Sequence, residues 1–138
     1  MLTDAQGIPI VVRTSPANQR DEQWLLPLLD ATPTLPNRRG RLRRKPAQLQ
    51  GDRGYGFPEI IQAVRNRGIR SLLAPRGSPH GSGLGRTRYV IERTMSWFSN
   101  FRRLKLCYER TGIAFQGFHV LAACVICANK VKTKHSRL

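Results

Sequence analysis

The chain has 138 residues, 40% of them hydrophobic, and its 24 Lys and Arg against 8 Asp and Glu give a net charge of +16. This length predicts a single domain, and this charge indicates a polyanionic partner, above all nucleic acid. The longest apolar run, residues 120–128, is too short to cross a bilayer, and no secretory signal is visible. The three cysteines lack the spacing of a disulfide framework, which fits a cytoplasmic protein.

The N-terminal third is predicted as a hairpin, a helix and a basic loop. Leu2–Thr14 has β-branched residues after a turn at 5–7, which is typical of a hairpin. Asp21 is the expected N-cap of a helix that ends before Pro33, with its inner face formed by Trp24, Leu25, Leu28 and Leu29.

The loop Asn37–Lys45 has six Lys or Arg in nine residues. It is either a solvated linker or a DNA-contacting loop in which Arg41, Arg43 and Arg44 bind phosphate oxygens through their planar guanidinium groups. The two interpretations agree if the loop becomes ordered on DNA.

The middle of the chain is predicted as a β–α–β unit. Residues 47–51 form a short buried strand with Asp52 at its C-terminal edge, Pro58–Arg67 form a helix that Gly68 ends, and Ile69–Ala74 form the next strand. This order indicates an α/β layer, and sheets of this type bind ligands beyond the carboxyl ends of their strands. The glycine-rich segment 75–86 is expected to be a loop, and its lone His80 is not expected to be a ligand.

Two helices are predicted in the last third. The first, Arg88–Leu104, has an apolar stripe of Val90, Thr94, Trp97, Phe101 and Leu104. Trp97 and Phe101 are interpreted as core residues rather than as a base-stacking platform. Glu92 lies on the opposite face and therefore faces solvent or a polar cleft.

The second helix, Ile113–Val131, is apolar nearly all round from Leu121 to Ala128, which predicts that it is buried or covers an interface. Cys124 and Cys127 within it are interpreted as small core residues rather than as a metal or redox pair. The basic tail, residues 132–138, adds to DNA attraction or to solubility.

Carboxylates are scarce in this chain, so the positions of Asp52 and Glu92, with 39 residues between them, are informative. Two carboxylates on a basic background suit a site for divalent cations beside a polyanion. The simpler alternatives are that Asp52 is a turn residue and that Glu92 pairs with Arg88 on a helix surface.

The motifs Asp52-Arg-Gly-Tyr, Arg67-Gly-Ile-Arg, Pro79-His-Gly-Ser-Gly-Leu-Gly and Val90-Ile-Glu-Arg-Thr closely resemble the C-terminal catalytic half of bacterial insertion-sequence transposases with a DDE triad. The resemblance implies a ribonuclease-H-like α/β fold, Asp52 as the second catalytic acid, Glu92 as the third, and Mg²⁺ or Mn²⁺ as cofactor. The family's Tyr-x2-Arg-x3-Glu-x6-Lys signature is matched at Arg88 and Glu92, whereas Gly85 and Ser99 replace its Tyr and Lys.

The first acid of the triad has no counterpart here, because it belongs to a first core strand upstream of the matching segment and Asp4 falls in the predicted hairpin. Residues 1–131 are therefore predicted to be a partial transposase catalytic domain without its first strand. The chain is then an internally initiated fragment, one frame of a split enzyme, or a remnant.

The expected function is DNA transposition, with cleavage and joining of transposon ends in the complete enzyme. The alternatives are a non-catalytic DNA-binding regulator and an inactive remnant. The expected partners are DNA of transposon ends and target, an upstream-frame polypeptide with the missing Asp, and a second copy of the chain, with no membrane. The further candidate phosphate contacts are Arg88, Arg93, Arg102 and Arg103.

Overall fold

The computed structural model describes residues 1–37, 39–77 and 85–135, so the predicted loop that contains His80 lies mostly outside the described residues. The chain divides into two compact units. The first, here the helical unit, comprises Met1–Pro16 and Arg86–Leu138, and the second, here the α/β unit, comprises Ala17–Gly85. The secondary structure is mixed α/β, with two-stranded sheets in the described residues.

The α/β unit contains two α-helices and four short strands in its described part. In chain order its elements are α1 (Leu25–Asp30), β3 (Leu35–Pro36), β4 (Leu42–Arg43), β5 (Gln48–Leu49), α2 (Pro58–Asn66) and β6 (Arg70–Ser71), numbered after β1 (Leu2–Thr3) and β2 (Pro9–Val11) of the helical unit.

The predicted β–α–β unit is present. Strands β5 and β6 pair in parallel, with Gln48 opposite Arg70 and Leu49 opposite Ser71, and α2 connects them. Pro58 opens α2, where its missing N–H costs nothing, and Gly68 at φ +73° follows the end of the helix. The buried side chains around this unit are Leu49, Ile60, Ile61, Val64, Ile69 and Leu73.

The predicted helix at Asp21 begins differently from the prediction. Arg20 is the N-cap, and Asp21–Trp24 form a 3-10 turn before α1. Because Pro27 has no N–H, it cannot close an α-helical turn onto the carbonyl group of residue 23, which favours the tighter turn there. The predicted apolar face is confirmed, since Leu25, Leu28 and Leu29 are buried.

The predicted basic loop is a short hairpin, here called the basic hairpin and comprising residues 35–45. Strands β3 and β4 pair antiparallel. The side chain of Asn37 accepts hydrogen bonds from the backbone N–H groups of Arg39, at 2.9 Å, and Arg41, at 3.0 Å. Gly40 takes φ +76°, which closes the turn. Arg38 lies outside the described residues.

The helical unit combines the predicted N-terminal hairpin, β1 paired antiparallel with β2, with three helices. These are α3 (Gly85–Ser99), α4 (Arg102–Leu106) and α5 (Gly112–His135). Gln116 of α5 joins the hairpin strand to the helices, because its side chain accepts from the backbone N–H of Thr14 at 2.6 Å and donates to the carbonyl oxygen of Val12 at 2.8 Å.

The prediction of one helix over residues 88–104 is wrong at its C-terminal end. Helix α3 stops at Ser99, whose hydroxyl donates to the Ser96 carbonyl oxygen at 2.8 Å, and Phe101 is extended before α4 begins. Side chains that bond to nearby backbone groups compete with the helix in this way. Trp97, Phe101 and Leu104 still pack against a buried cluster, but its central members are Phe98, Ala122 and Ile126.

Helix α5 is not buried all round. Ala122 and Ile126 lie in the core, whereas large apolar side chains along the rest of the helix are exposed: Ile113 88%, Val120 45%, Leu121 58%, Val125 39% and Val131 58%. The prediction that both cysteines are core residues is also wrong for Cys124, which is exposed. Cys127 is half-buried, and its thiol lies 3.7 Å from the Pro9 carbonyl oxygen.

Helix α5 also corrects the expectation that the apolar part of the chain is too short to cross a bilayer, which is based on its longest apolar run. Residues 112–133 have a mean hydropathy of 1.6 and are long and apolar enough to cross a membrane by length and composition alone. The run of nine residues underestimates the length of the apolar segment, because isolated polar residues interrupt the run but barely lower the mean hydropathy. Core helices of soluble proteins pass the same test, so the property is weak evidence for a membrane.

Candidate functional site

Asp52 lies three residues beyond β5, at the carboxyl end of the parallel pair. Its side chain is exposed, and Oδ1 accepts a hydrogen bond of 2.6 Å from the backbone N–H of Arg53, which caps a 3-10 helix at Arg53–Tyr55. The sequence predicts Asp52 at this edge, and the strand pairing confirms that location. The turn-residue alternative describes its local geometry equally well.

Two glycines hold the backbone around Asp52 close to the segment after β6. A Cβ atom on Gly51 would lie 2.8 Å from Leu73 Cδ2, and one on Gly56 would overlap the carbonyl oxygen of Ala74. Larger residues would therefore push this turn away from the sheet. The turn is consequently fixed against β6, with Asp52 on its exposed side.

Tyr55, at the end of the same turn, is half-buried and surrounded by acidic groups. Burial raises the pKa of its phenol, and the carboxylates of Asp21, Asp52 and Glu22 raise it further. The negative potential of these three carboxylates reaches the Tyr55 hydroxyl. This corner of the α/β unit is therefore locally acidic in a strongly basic chain.

Glu92 lies on the exposed face of α3, as the helical spacing predicts. The opposite face is anchored to the N-terminal hairpin by Thr94, whose hydroxyl lies 2.7 Å from the Gly7 carbonyl oxygen. On the side between the two faces, Arg93 Nη2 donates to the Gln6 carbonyl oxygen at 2.6 Å. The helix is thus held by contacts within two residues of Glu92, which limits rotation of the carboxylate-bearing face.

The two predicted acids belong to different units, Asp52 to the α/β unit and Glu92 to the helical unit. Each is an exposed carboxylate, the oxygen donor that Mg²⁺ prefers. Among the described residues, no group of three or more His, Cys, Asp or Glu is arranged to hold a metal ion. Each acid therefore fits as a single ligand, and a complete site needs further oxygen donors.

Five of the seven predicted phosphate-binding arginines fall into two classes, four that face solvent and one that is paired. Arg41, Arg43, Arg44 and Arg102 are exposed, and Arg43, Arg44 and Lys45 line a shallow, open depression. Arg103 is instead paired with Glu109, with Nε 2.6 Å from Oε1, and its guanidinium covers the Phe118 ring at 4.6 Å.

The other two predicted contacts, Arg93 and Arg88, belong to α3. Arg93 is directed toward the hairpin and toward the neighbouring aromatic rings Tyr89 and Trp97. Arg88 lies in the first turn of α3, and its side chain is outside the described part of the chain.

Sequence reasoning missed the exposed ring of Tyr89 and the contact between Lys130 and Trp97. The spacing of Tyr89, Arg93 and Trp97, four residues apart on one helix, is the signal that could have found the Tyr89 ring, whereas the contact with Lys130 of α5 has no such local signal. The apolar stripe hides this signal, because it includes Trp97 and excludes the other two.

The parallel β5–α2–β6 unit with a carboxylate at its carboxyl edge, in a chain of charge +16, defines an α/β protein suited to nucleic-acid chemistry. Residues 1–127 match the transposase DDE domain family, and the chain belongs to this family. It is 40% identical over 132 residues to a protein of Burkholderia cepacia named as a putative transposase for insertion sequence element IS402, covering 96% of this chain and 63% of that relative.

The chain thus spans just under two thirds of the length of this curated relative. No solved structure matches it. The matching family and this relative are both named for transposases.

Proposed function

We propose that this chain is the C-terminal catalytic part of a cytoplasmic DDE transposase with a ribonuclease-H-like fold, whose complete active site also needs a first core strand and a first catalytic Asp. In this proposal Asp52 and Glu92 are the second and third acids. The DNA of transposon ends and target is the substrate, and a second copy of the chain is a partner. The membrane has no role.

The observation that carries this proposal is the position of Asp52. It follows the first strand of a parallel β–α–β unit and is exposed at the edge where such sheets bind ligands. The family match covers this segment and α3, which contains Glu92. Asp52 and Glu92 are thus exposed carboxylates on ordered elements rather than parts of a packed core.

Phosphodiester transfer requires charge neutralisation and alignment more than covalent chemistry. A divalent cation held by the carboxylates would supply charge neutralisation at the scissile phosphate. The exposed arginines of the basic hairpin and Arg102 bind the DNA backbone. The Thr94 anchor keeps the face of α3 with Glu92 in a fixed orientation.

The test is a strand-transfer assay with labelled DNA from the termini of the element, in Mg²⁺ or Mn²⁺, with and without an upstream fragment that carries the missing Asp. We expect joining only when the fragment is present. Asp52→Asn and Glu92→Gln should each abolish joining. The matched control is Glu59→Gln, which removes an exposed carboxylate in the first turn of α2 and should leave joining unchanged.

Joining by the chain alone would contradict the need for a further acid besides Asp52 and Glu92. Joining that survives Asp52→Asn would remove this residue from the triad. If no combination joins ends while DNA binding remains, the chain is a DNA-binding remnant and the catalytic proposal fails.

A further inference from the structure

Four side chains of the helical unit alternate between aromatic rings and cations. The Arg93 guanidinium lies 5.3 Å from the ring centroid of Tyr89 and 5.3 Å from that of Trp97, and Lys130 Nζ of α5 lies 3.8 Å from the Trp97 centroid. We call these residues the cation–aromatic ladder. Each cation is attracted to the ring beside it through the ring quadrupole, so the members of the ladder stabilise one another.

The inner end of the ladder is fixed. Trp97 packs against the cluster of Phe98, Ala122 and Ile126. Arg93 donates to the Gln6 carbonyl oxygen, while its Nε is buried and has no hydrogen-bond partner among the described residues. The Gln6 bond and the two neighbouring rings hold the partly buried guanidinium in place, although one of its N–H groups has no acceptor in the described part of the chain.

The outer end of the ladder is open to solvent. The Tyr89 side chain is 61% exposed although one of its neighbours is the fixed guanidinium. Packing of α3 against α5 is already supplied by Trp97, Lys130 and the apolar cluster, so it does not require this ring. An exposed aromatic ring with a cation beside it is the arrangement that single-stranded nucleic-acid binding surfaces use.

Tyr89 is also close to the proposed third acid. It precedes Glu92 by three residues, and side chains at this spacing are neighbours on a helix surface. Both side chains are exposed. A base stacked on Tyr89 would therefore lie about one helical turn from the carboxylate that we propose to act on the DNA backbone.

We infer that Tyr89 is the stacking platform for an unpaired nucleobase at a DNA end, with Arg93 fixing the ring and supplying positive charge behind it. The ligand class is DNA with an unpaired terminal base, as distinct from the duplex backbone bound by the basic hairpin. This inference rests on the proposed function for its substrate, but its test requires no catalysis.

The test uses the full chain in EDTA and a duplex with a short single-stranded overhang that contains 2-aminopurine, whose fluorescence falls when it stacks. We expect quenching by the wild type and by Tyr89→Phe, which keeps the ring, and none by Tyr89→Leu or Tyr89→Ala. Affinity for the overhang substrate should fall about tenfold in the ring-less variants, whereas affinity for blunt duplex stays unchanged.

The matched control is Tyr108→Ala, which removes a tyrosine of similar exposure, 58%, outside the ladder. It should quench like the wild type, and circular dichroism should show all variants folded. Equal quenching by Tyr89→Leu and the wild type, or no quenching by the wild type, would overturn the inference. Loss of duplex and overhang binding together would also overturn it, because it would indicate a purely structural ring.

The two proposals fail separately. Strand transfer that is absent in every combination, with quenching intact, removes the catalytic proposal and leaves the stacking site. Strand transfer that is intact in Tyr89→Leu, together with no quenching in the wild type, removes the stacking site and leaves the catalytic proposal.

Discussion

The Thr94 hydroxyl and the Gly7 carbonyl oxygen, 87 residues apart in the chain, are 2.7 Å apart in the structure, and Thr94 is completely buried. Gly7 takes φ +81° in the turn of the N-terminal hairpin. A Cβ atom on Gly7 would lie 2.5 Å from the Thr94 hydroxyl oxygen and 3.3 Å from Val90 Cγ1. The hairpin turn therefore fits against α3 only because residue 7 has no side chain.

Gly7→Ala should destabilise the helical unit strongly. A left-handed backbone costs a non-glycine residue about 1–2 kcal/mol, and overpacking a buried contact costs about 1–3 kcal/mol. The expected loss is the sum of the two, measured by urea unfolding monitored through Trp97 fluorescence in a Trp24→Phe background. The control is Gly117→Ala in α5, where nothing lies within 4 Å of the added carbon and helix propensity should improve. Equal stability of the two variants would show that the close contact at Gly7 is not present.

The sequence predicts best where local pattern and tertiary structure agree. The position of Asp52 is predictable because the Pro-initiated helix and the Gly stop that follow it have clear local signals, and the strand before it contains the buried Leu49. The break after Ser99 was not predictable from the apolar periodicity, because that periodicity continues to Leu104 while the backbone is interrupted by a serine side-chain bond. Composition likewise cannot distinguish the buried from the exposed side of α5, since both are apolar.

The exposed apolar side of α5 should make the isolated chain self-associate. Contiguous exposed apolar side chains, here including Leu121 at 58% and Val125 at 39%, are usually covered in stable soluble proteins. We expect the apparent molar mass to rise with protein concentration and Leu121→Gln to reduce this rise. Leu42→Gln, which changes a 66% exposed leucine on the basic hairpin, should not. A monomer at all concentrations would refute this prediction.

The basic hairpin should dominate sequence-independent DNA binding. Replacing Arg41, Arg43 and Arg44 by Ala should weaken binding to all sequences alike and make the slope of log K against log salt less negative by about 0.9 for each phosphate that is no longer neutralised. The control is Arg65→Ala with Arg70→Ala, two exposed arginines of the same unit outside the hairpin. Equal changes per removed arginine in the two sets would indicate that only total charge matters.

Tyr55 should lose its proton above the ordinary tyrosine pKa of 10.0, because burial and then the carboxylates of Asp21, Asp52 and Glu22 raise its pKa. The unfolded chain releases this proton first, so the stabilising contribution is complete below pH 10 and is lost as pH rises through the folded-state pKa. Ultraviolet absorbance at about 295 nm, where ionised tyrosine absorbs, isolates the Tyr55 titration when the wild type is compared with Tyr55→Phe. A midpoint at or below 10.0 would contradict the geometry.

Arg102 and Arg103 are adjacent in sequence, but their surroundings predict opposite roles. Arg102 is exposed at the start of α4, and no ion pair of its side chain occurs among the described residues. Arg103 forms its ion pair with Glu109, whose side chain is only 12% exposed, and stacks on Phe118. The first arginine is available to DNA, whereas the second stabilises the connection between α4 and α5.

Arg102→Ala should therefore make the salt slope of DNA binding less negative by about 0.9 and leave stability within about 0.5 kcal/mol. Arg103→Ala should leave the slope nearly unchanged and reduce the free energy of unfolding by about 1 kcal/mol, since its own charge is partly exposed and screened. Glu109→Gln should share this loss of stability and free Arg103, so it should also make the slope more negative. If Arg103→Ala changes the salt slope and Arg102→Ala does not, Arg103 leaves Glu109 to bind phosphate when DNA is present.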